Sequence, residues 1–287
     1  MDGLASKPLW QEELKIAIGA ATDAGNLIRS GFSVRSKDVE DKKNTSDLVT
    51  ETDVKSEELV FSRIRTAFPS HVLIGEESSV SSGPDALTDE PTWMCDPLDG
   101  TTNFVHSYPN VCVSIALVVK KQVVVGVVYN PITEELFTAT KGSGAFLNGR
   151  PIRCSGAQDM KRALLATEIG VTRDETTFHA VFLRISKLVQ AMQSVRCTGS
   201  CALNLCSVAS GRIDAFYEIG FGGCWDVAAG ALIVSEAGGA LIDPAGGPFG
   251  LMSRRVLAGT PAIVPQVSAI LAACPTSEHE PPAPASS

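Results

Sequence analysis

Apolar residues recur at helical spacing over residues 9–32, where Leu14, Ala17, Ile18, Ala21 and Ile28 share a face and Gly31 lies near the end; this predicts a helix. A polar stretch over 35–44 predicts a loop. Leu59, Val60, Ile64 and Phe68 form the stripe of a second helix, predicted over 47–68 and stopped before Pro69, with Asp53 on it. Residues 72–74 read as a short buried strand ending at Gly75-Glu76-Glu77, and the Ser/Gly/Pro-rich stretch 78–91 as a loop. Apolar runs at 111–119, 122–129 and 135–140, with turns at Lys120-Lys121 and Asn130-Pro131, predict an antiparallel meander.

Strands follow at 163–167, 213–217, 240–242 and 256–258, and helices at 175–192, 201–209, 226–237 and 265–273. Helices alternate with strands while the middle strands run as hairpins, so the fold class is mixed α/β (α+β) with at least one largely antiparallel sheet. Residues 275–287 are rich in Pro, Ser and Ala and predict a disordered tail.

A chain of 287 residues can bury a substantial core. Its 24 Lys+Arg against 32 Asp+Glu, a formal charge of −8, argue against general affinity for nucleic acid or an anionic membrane. No apolar run approaches membrane-spanning length and the first residues lack signal-peptide features, so the expected location is cytoplasmic. The eight cysteines are scattered without a C-x-x-C pair, which predicts buried free thiols and no zinc site.

The densest chemistry lies at Asp96-Pro97-Leu98-Asp99-Gly100-Thr101-Thr102-Asn103, directly after apolar Trp93-Met94-Cys95. Pro97 fixes one backbone angle and Gly100 frees another. Two aspartates at such a bend suit a hard cation, and exposed N–H groups at Gly100 to Thr102 suit an anion. Asp53, Glu76, Glu77 and Asp226 lie at the edges of other predicted elements. Taken singly, each is equally a solvated charge or an N-cap. Gathered at one place, they would need metal ions to offset their repulsion.

Gly75-Glu76-Glu77, the run from Asp96 to Asn103, and Cys224-Trp225-Asp226-Val227-Ala228-Ala229-Gly230 resemble, in order, the three motifs of the inositol monophosphatase family. Asp47-Leu48-Val49-Thr50-Glu51-Thr52-Asp53, Asn103-Phe104-Val105-His106 and Glu236-Ala237-Gly238-Gly239 extend the resemblance over nearly the whole chain. It implies one catalytic domain over 1–274, an α-β-α-β-α layered sandwich of the sugar phosphatase type, and a homodimer. It also implies lithium-sensitive, Mg²⁺-dependent hydrolysis of phosphate monoesters, inositol monophosphates foremost, by metal-activated water.

By motif position, Glu76, Asp96, the Leu98 carbonyl and Thr101 would hold a first metal ion. Asp96, Asp99 and Asp226 would hold a second, and Glu76 would support a third through water. Asp53 and Thr101 would activate the water, with Glu76 counted among the catalytic residues. Asp99, Gly100, Thr101, Thr102, Gly199, Ser200, Cys201 and Glu218 would bind substrate. Lys42 and Lys43 read as a solvated loop or as groups near the phosphate.

Three departures bear on substrate. Gly199-Ser200-Cys201 stands where animal members carry Gly-Thr-Ala, Val171 replaces a serine, and Gly222-Gly223 lengthens the loop before Asp226. Galactose 1-phosphate or another polyol phosphate is therefore an alternative. A bisphosphate substrate would call for basic residues that the segments around Glu218 lack. A non-catalytic binding protein on this fold would be expected to have lost one of the acidic residues, all of which are present.

Overall fold

The computed structural model describes residues 9–34, 37, 39–42, 48–82 and 87–283. Its elements in chain order begin α1 (Gln11–Phe32), β1 (Val39–Asp41), β2 (Leu48–Thr50), α2 (Glu51–Ala67), β3 (Val72–Gly75), α3 (Glu76–Ser82), β4 (Thr92–Asp99) and α4 (Thr101–Val105). There follow β5 (Cys112–Val119), β6 (Gln122–Asn130), β7 (Glu135–Thr140), β8 (Ala145–Leu147), β9 (Arg150–Ile152), β10 (Leu164–Thr167), α5 (Glu175–Ala191) and β11 (Ser194–Arg196). The series closes with α6 (Cys201–Ala209), β12 (Ala215–Ile219), α7 (Cys224–Glu236), β13 (Ala240–Ile242), β14 (Arg255–Gly259) and α8 (Val264–Ala272).

These elements stack in five layers, α-β-α-β-α. Helices α1 and α2 cover the outer face of a seven-stranded sheet of order β3-β4-β5-β6-β7-β8-β9, antiparallel except for β3 beside β4. Helices α6 and α7 fill the space between that sheet and a five-stranded one of order β11-β10-β12-β14-β13, and α5 and α8 cover the far side. Three apolar cores hold the layers together: one under α1 and α2, one around the central helices and against both sheets, and one under α5 and α8. Among the described residues no helix is long and apolar enough to cross a membrane. All eight cysteines are free thiols, six of them buried.

The central layer explains the apolar composition of α7. Residues Cys224, Val227 to Val234 and Asp226 are all buried, because the helix meets a sheet on each side. The approach is close: a Cβ on Gly126 of β6 would lie 2.7 Å from the Ala229 carbonyl oxygen, so only glycine lets strand and helix touch there.

Several expectations change. The second helix starts at Glu51, because Leu48–Thr50 pairs with β1 and Thr50 caps α2 in an extended conformation; Asp47 lies outside the described residues. Within the stretch read as a loop over 78–91, residues 78–82 belong to α3. Asp96 and Asp99 sit inside β4 rather than after it, at a register shift where Pro97 has no N–H to pair. The C-terminal stretch also differs: residues 275–283 pack on the body, with Ser277 and Glu280 buried, because polar partners hold a segment that composition alone reads as disordered.

Candidate active site

The irregularity in β4 lies between Asp96 and Asp99 and frees the two carboxylates from a regular alternation. Asp96 Oδ1 accepts from Leu98 N at 2.9 Å, and Gly100, at φ 93°, bends the chain into α4. A Cβ on Gly100 would lie 2.8 Å from the Asn110 carbonyl oxygen, so this turn also requires glycine. Glu76 enters from the start of α3 and Asp226 from the first turn of α7, where its Oδ2 accepts from Gly223 N at 3.1 Å. Carboxylate oxygens of Glu76, Asp96 and Asp226 lie within 4.8 Å of one another.

Such proximity governs protonation. Burial raises the Asp96 and Asp226 carboxyls well above the usual range, and Glu76 and Asp99 raise them further. Each of these two carboxylates lies close to the other as well as to Glu76, so the negative charge of Asp226 further raises Asp96. A set of buried, mutually repelling oxygens is the donor chemistry of a hard divalent cation, and these residues fit one.

Asp99 is turned partly away from that trio. Its Oδ2 accepts from Ser200 Oγ at 2.6 Å and Ala202 N at 2.7 Å at the start of α6, and burial pushes its carboxyl up to about 6. Asp53 and Thr101, read from distant segments, meet: Thr101 Oγ1 lies 3.1 Å from Asp53 Oδ1 and 3.2 Å from the Leu98 carbonyl oxygen. Burial also pushes Asp53 up to about 6, although its other oxygen accepts from Thr50 N at 2.8 Å and from the Thr50 hydroxyl.

Lys42 is neither solvated nor remote. Its Nζ lies 2.8 Å from Glu76 Oε1 and 2.7 Å from Glu77 Oε1. Burial opposes its charge, but the two glutamates outweigh burial and hold its pKa above the ordinary lysine range. Glu77 is pushed up to about 7, by burial first and then by Glu76. Lys43 lies outside the described residues.

The remaining predicted residues lie beside the acidic centre. Ser200 caps α6 and Cys201 follows it, with its buried thiol beside Glu218. Glu218 lies within β12 rather than at a strand end, and is buried. Its Oε2 has no hydrogen-bond partner. Burial raises its carboxyl well above the usual range, aided by Glu168 and Asp226. Gly199 is tied to the acidic turn: Asn103 Nδ2 lies 2.8 Å from the Thr198 carbonyl oxygen and 3.2 Å from that of Gly199.

Two residues of this site were not singled out in the sequence. Glu168 Oε1 accepts from Thr198 N and Gly199 N, both at 2.9 Å, and from Asn204 Nδ2 at 2.8 Å, which fixes the Gly199 turn. Glu57 Oε2 and Oε1 accept from Glu77 N and Ser78 N, each at 2.9 Å, which fixes the start of α3. Spacing held a signal for Glu57, since it lies one helical turn after Asp53 on the same face. Glu168 has no comparable sequence cue.

Fold and site together define a layered α/β protein whose sheets and central helices converge carboxylates on one acidic centre. A sequence model of the Inositol monophosphatase family matches residues 9–276, and the chain belongs to that family. It is 57% identical to "Inositol monophosphatase 2" of Solanum lycopersicum over 249 residues, 86% of this chain and 93% of that one. It is 44% identical to "Inositol monophosphatase 1" of Homo sapiens over 256 residues, 89% of this chain and 92% of that one. Among solved structures, that of inositol monophosphatase from Anabaena (Nostoc) superposes with a TM-score of 0.78 at 36% identity, covering 92% of this chain and 97% of that one.

Proposed function

We propose that the protein is an Mg²⁺-dependent phosphomonoesterase that hydrolyses inositol monophosphates to inositol and phosphate. The observation that carries this reading is the convergence of Glu76, Asp96 and Asp226 beside the Asp53–Thr101 pair. Glu76, Asp96, Asp99, Asp226, Thr101 and the Leu98 carbonyl would hold two to three Mg²⁺. Bound there, Mg²⁺ supplies Lewis acidity: it acidifies water, offsets carboxylate repulsion and stabilises charge on the leaving oxygen.

The chain's own groups do the rest. Thr101 Oγ1 accepts a proton from the attacking water while passing its own to Asp53 Oδ1, along the 3.1 Å hydrogen bond already present. Asp53, pushed up to about 6 by burial, is placed near neutrality, as a proton acceptor requires. The N–H groups of Gly100, Thr101 and Thr102 hold phosphate oxygens. Glu218 Oε2, buried and unpartnered, accepts from a ring hydroxyl, and Gly199, Ser200 and Cys201 line the site beside it. To this reading we add a catalytic unit spanning 1–274, a homodimer, a cytoplasmic location and sensitivity to lithium.

A phosphate-release panel with and without Mg²⁺ tests it, using inositol 1-phosphate, galactose 1-phosphate, fructose 1,6-bisphosphate and an adenosine bisphosphate. Inositol 1-phosphate is expected to be the best substrate, with no release in chelator. Asp96→Asn is expected to lose more than the ~100-fold typical of a residue that merely supports a metal ligand, with circular dichroism unchanged. Full activity in excess chelator would overturn the mechanism, and preference for another phosphate would overturn the substrate.

A further inference from the structure

Residues 275–283 end the described chain beside the loop that follows Glu218, and their anchors are buried. Glu280 pairs with Arg184 of α5, both nearly inaccessible. Ser277 N donates to Glu280 Oε2 at 2.9 Å, and Glu280 N to the Ser277 carbonyl oxygen at 3.2 Å, closing a tight turn. The Thr177 hydroxyl on α5 donates to Ser277 Oγ at 2.8 Å. One residue on, the Pro281 carbonyl accepts from Arg255 Nη1 at 3.0 Å, while the rest of that guanidinium grips both oxygens of buried Asp243.

The far side of these contacts is the loop that separates Glu218 from Asp226. Arg255 pairs across the sheet with Ile219, immediately after Glu218. Its neighbour Arg254 reaches into the loop: Nε lies 2.5 Å from the Phe221 carbonyl oxygen and Nη2 3.1 Å from that of Gly220, while Gly220 N donates to the Arg254 carbonyl at 2.9 Å. A Cβ on Gly220 would have Pro281 Cδ at 3.8 Å as its nearest neighbour. An open cleft of about 430 Å³ is lined by 252–254 and 279–282, so the segment and the Arg254 turn face one another across it.

The geometry points to a positioning strap: residues 275–283 hold the 220–223 loop, and with it the Glu218 wall of the substrate pocket, in the arrangement that receives a polyol. This rests on the assignment of Glu218 as a substrate contact. A buried ion pair is a poor source of net stability, because desolvation offsets its attraction, but it admits few alternative placements. Arg184–Glu280 therefore fixes where the strap sits, and Pro281 passes that position to Gly220 and Arg255. The strap acts on the pocket and not on the acidic centre, which is held by β4, α3 and α7. Ser277, Glu280 and Pro281 lie just beyond residues 9–276, the span matched by the family model.

The test uses the full chain with Glu280→Gln, and with Pro281→Gly and Ser277→Ala, which leave the buried ion pair intact. Hydrogen–deuterium exchange is expected to accelerate at 218–223 while 100–103 stays protected. KM for inositol 1-phosphate should rise about three- to tenfold, the worth of one ordinary hydrogen bond. The turnover number and the half-saturating Mg²⁺ concentration should stay within about twofold. Lower melting temperatures with unchanged exchange at 218–223 and unchanged KM would reduce the strap to a packing element and overturn the proposal. If the wild-type protein released no phosphate from inositol 1-phosphate, the functional reading would fail by itself, and exchange at 218–223 would still decide the strap.

Discussion

Each oxygen of Glu57 receives one backbone N–H, from Glu77 and Ser78, at 2.9 Å. Such charge-assisted bonds are stronger than neutral ones, and here they set the direction in which Glu76 leaves the backbone. Glu57→Gln keeps one acceptor and turns an NH₂ toward the other amide. The half-saturating Mg²⁺ concentration is expected to rise about 10- to 100-fold, with turnover at saturation near wild type. Titration calorimetry with Mg²⁺ measures this directly, and an unchanged affinity would leave Glu57 a packing residue. Asp53 and Glu57 illustrate what was legible at this scale. Asp53 was found because its segment matches a motif, whereas a glutamate on an amphipathic helix ordinarily faces water, and only the docking of α3 shows otherwise. Glu168 is similar: its role depends on a turn thirty residues further on, brought back beside it by the pairing of β10 with β11.

Helix α7 carries Asp226 and is clamped between two sheets, so its placement and the metal centre are one problem. Gly126→Ala would push a methyl to 2.7 Å from the Ala229 carbonyl, an atom that cannot swing aside. The expected cost is about 1–3 kcal/mol in denaturant unfolding, with a loss of activity per folded molecule as Asp226 shifts. A midpoint equal to wild type would mean that strand and helix can separate freely. Legibility among elements followed length and turns. The hairpin after β5 was readable because Lys120 and Lys121 form a tight turn, both at positive φ. Three-residue strands such as β8, β9 and β11 were missed, since so few residues establish no alternation. Buried on both sides, α7 has no polar face to reveal its period, and was found from its bounding glycines.

Across the whole molecule, the acidic centre makes stability depend on pH in an unusual direction. Asp53 and Asp99 are raised to about 6 and Glu77 to about 7, in each case by burial first. Acids raised by folding bind more protons in the folded than in the unfolded state between their two pKa values. Their stabilising contribution is complete below about pH 4 and is lost as pH rises through about 6 to 7. In chelator the melting temperature is therefore expected to fall between pH 5 and 8, and Mg²⁺ should stabilise more at pH 8 than at pH 5. Thermal melts at both pH values decide it; a melting temperature that climbs over that range in chelator would contradict the site's electrostatics. At this scale the layered architecture was legible through the family resemblance, and the packed C-terminal segment was not, because composition does not reveal that Glu280 has a buried arginine waiting for it. The centre joins Glu76 and Asp96, borne by the first half of the chain, to Asp226, some 130 residues after Asp96 on a helix packed between two sheets. Contacts so distant along the chain form slowly, since loop closure precedes any reward. A chain in which α7 has not docked lacks Asp226 at the centre, so recovered metal affinity reports that docking during refolding.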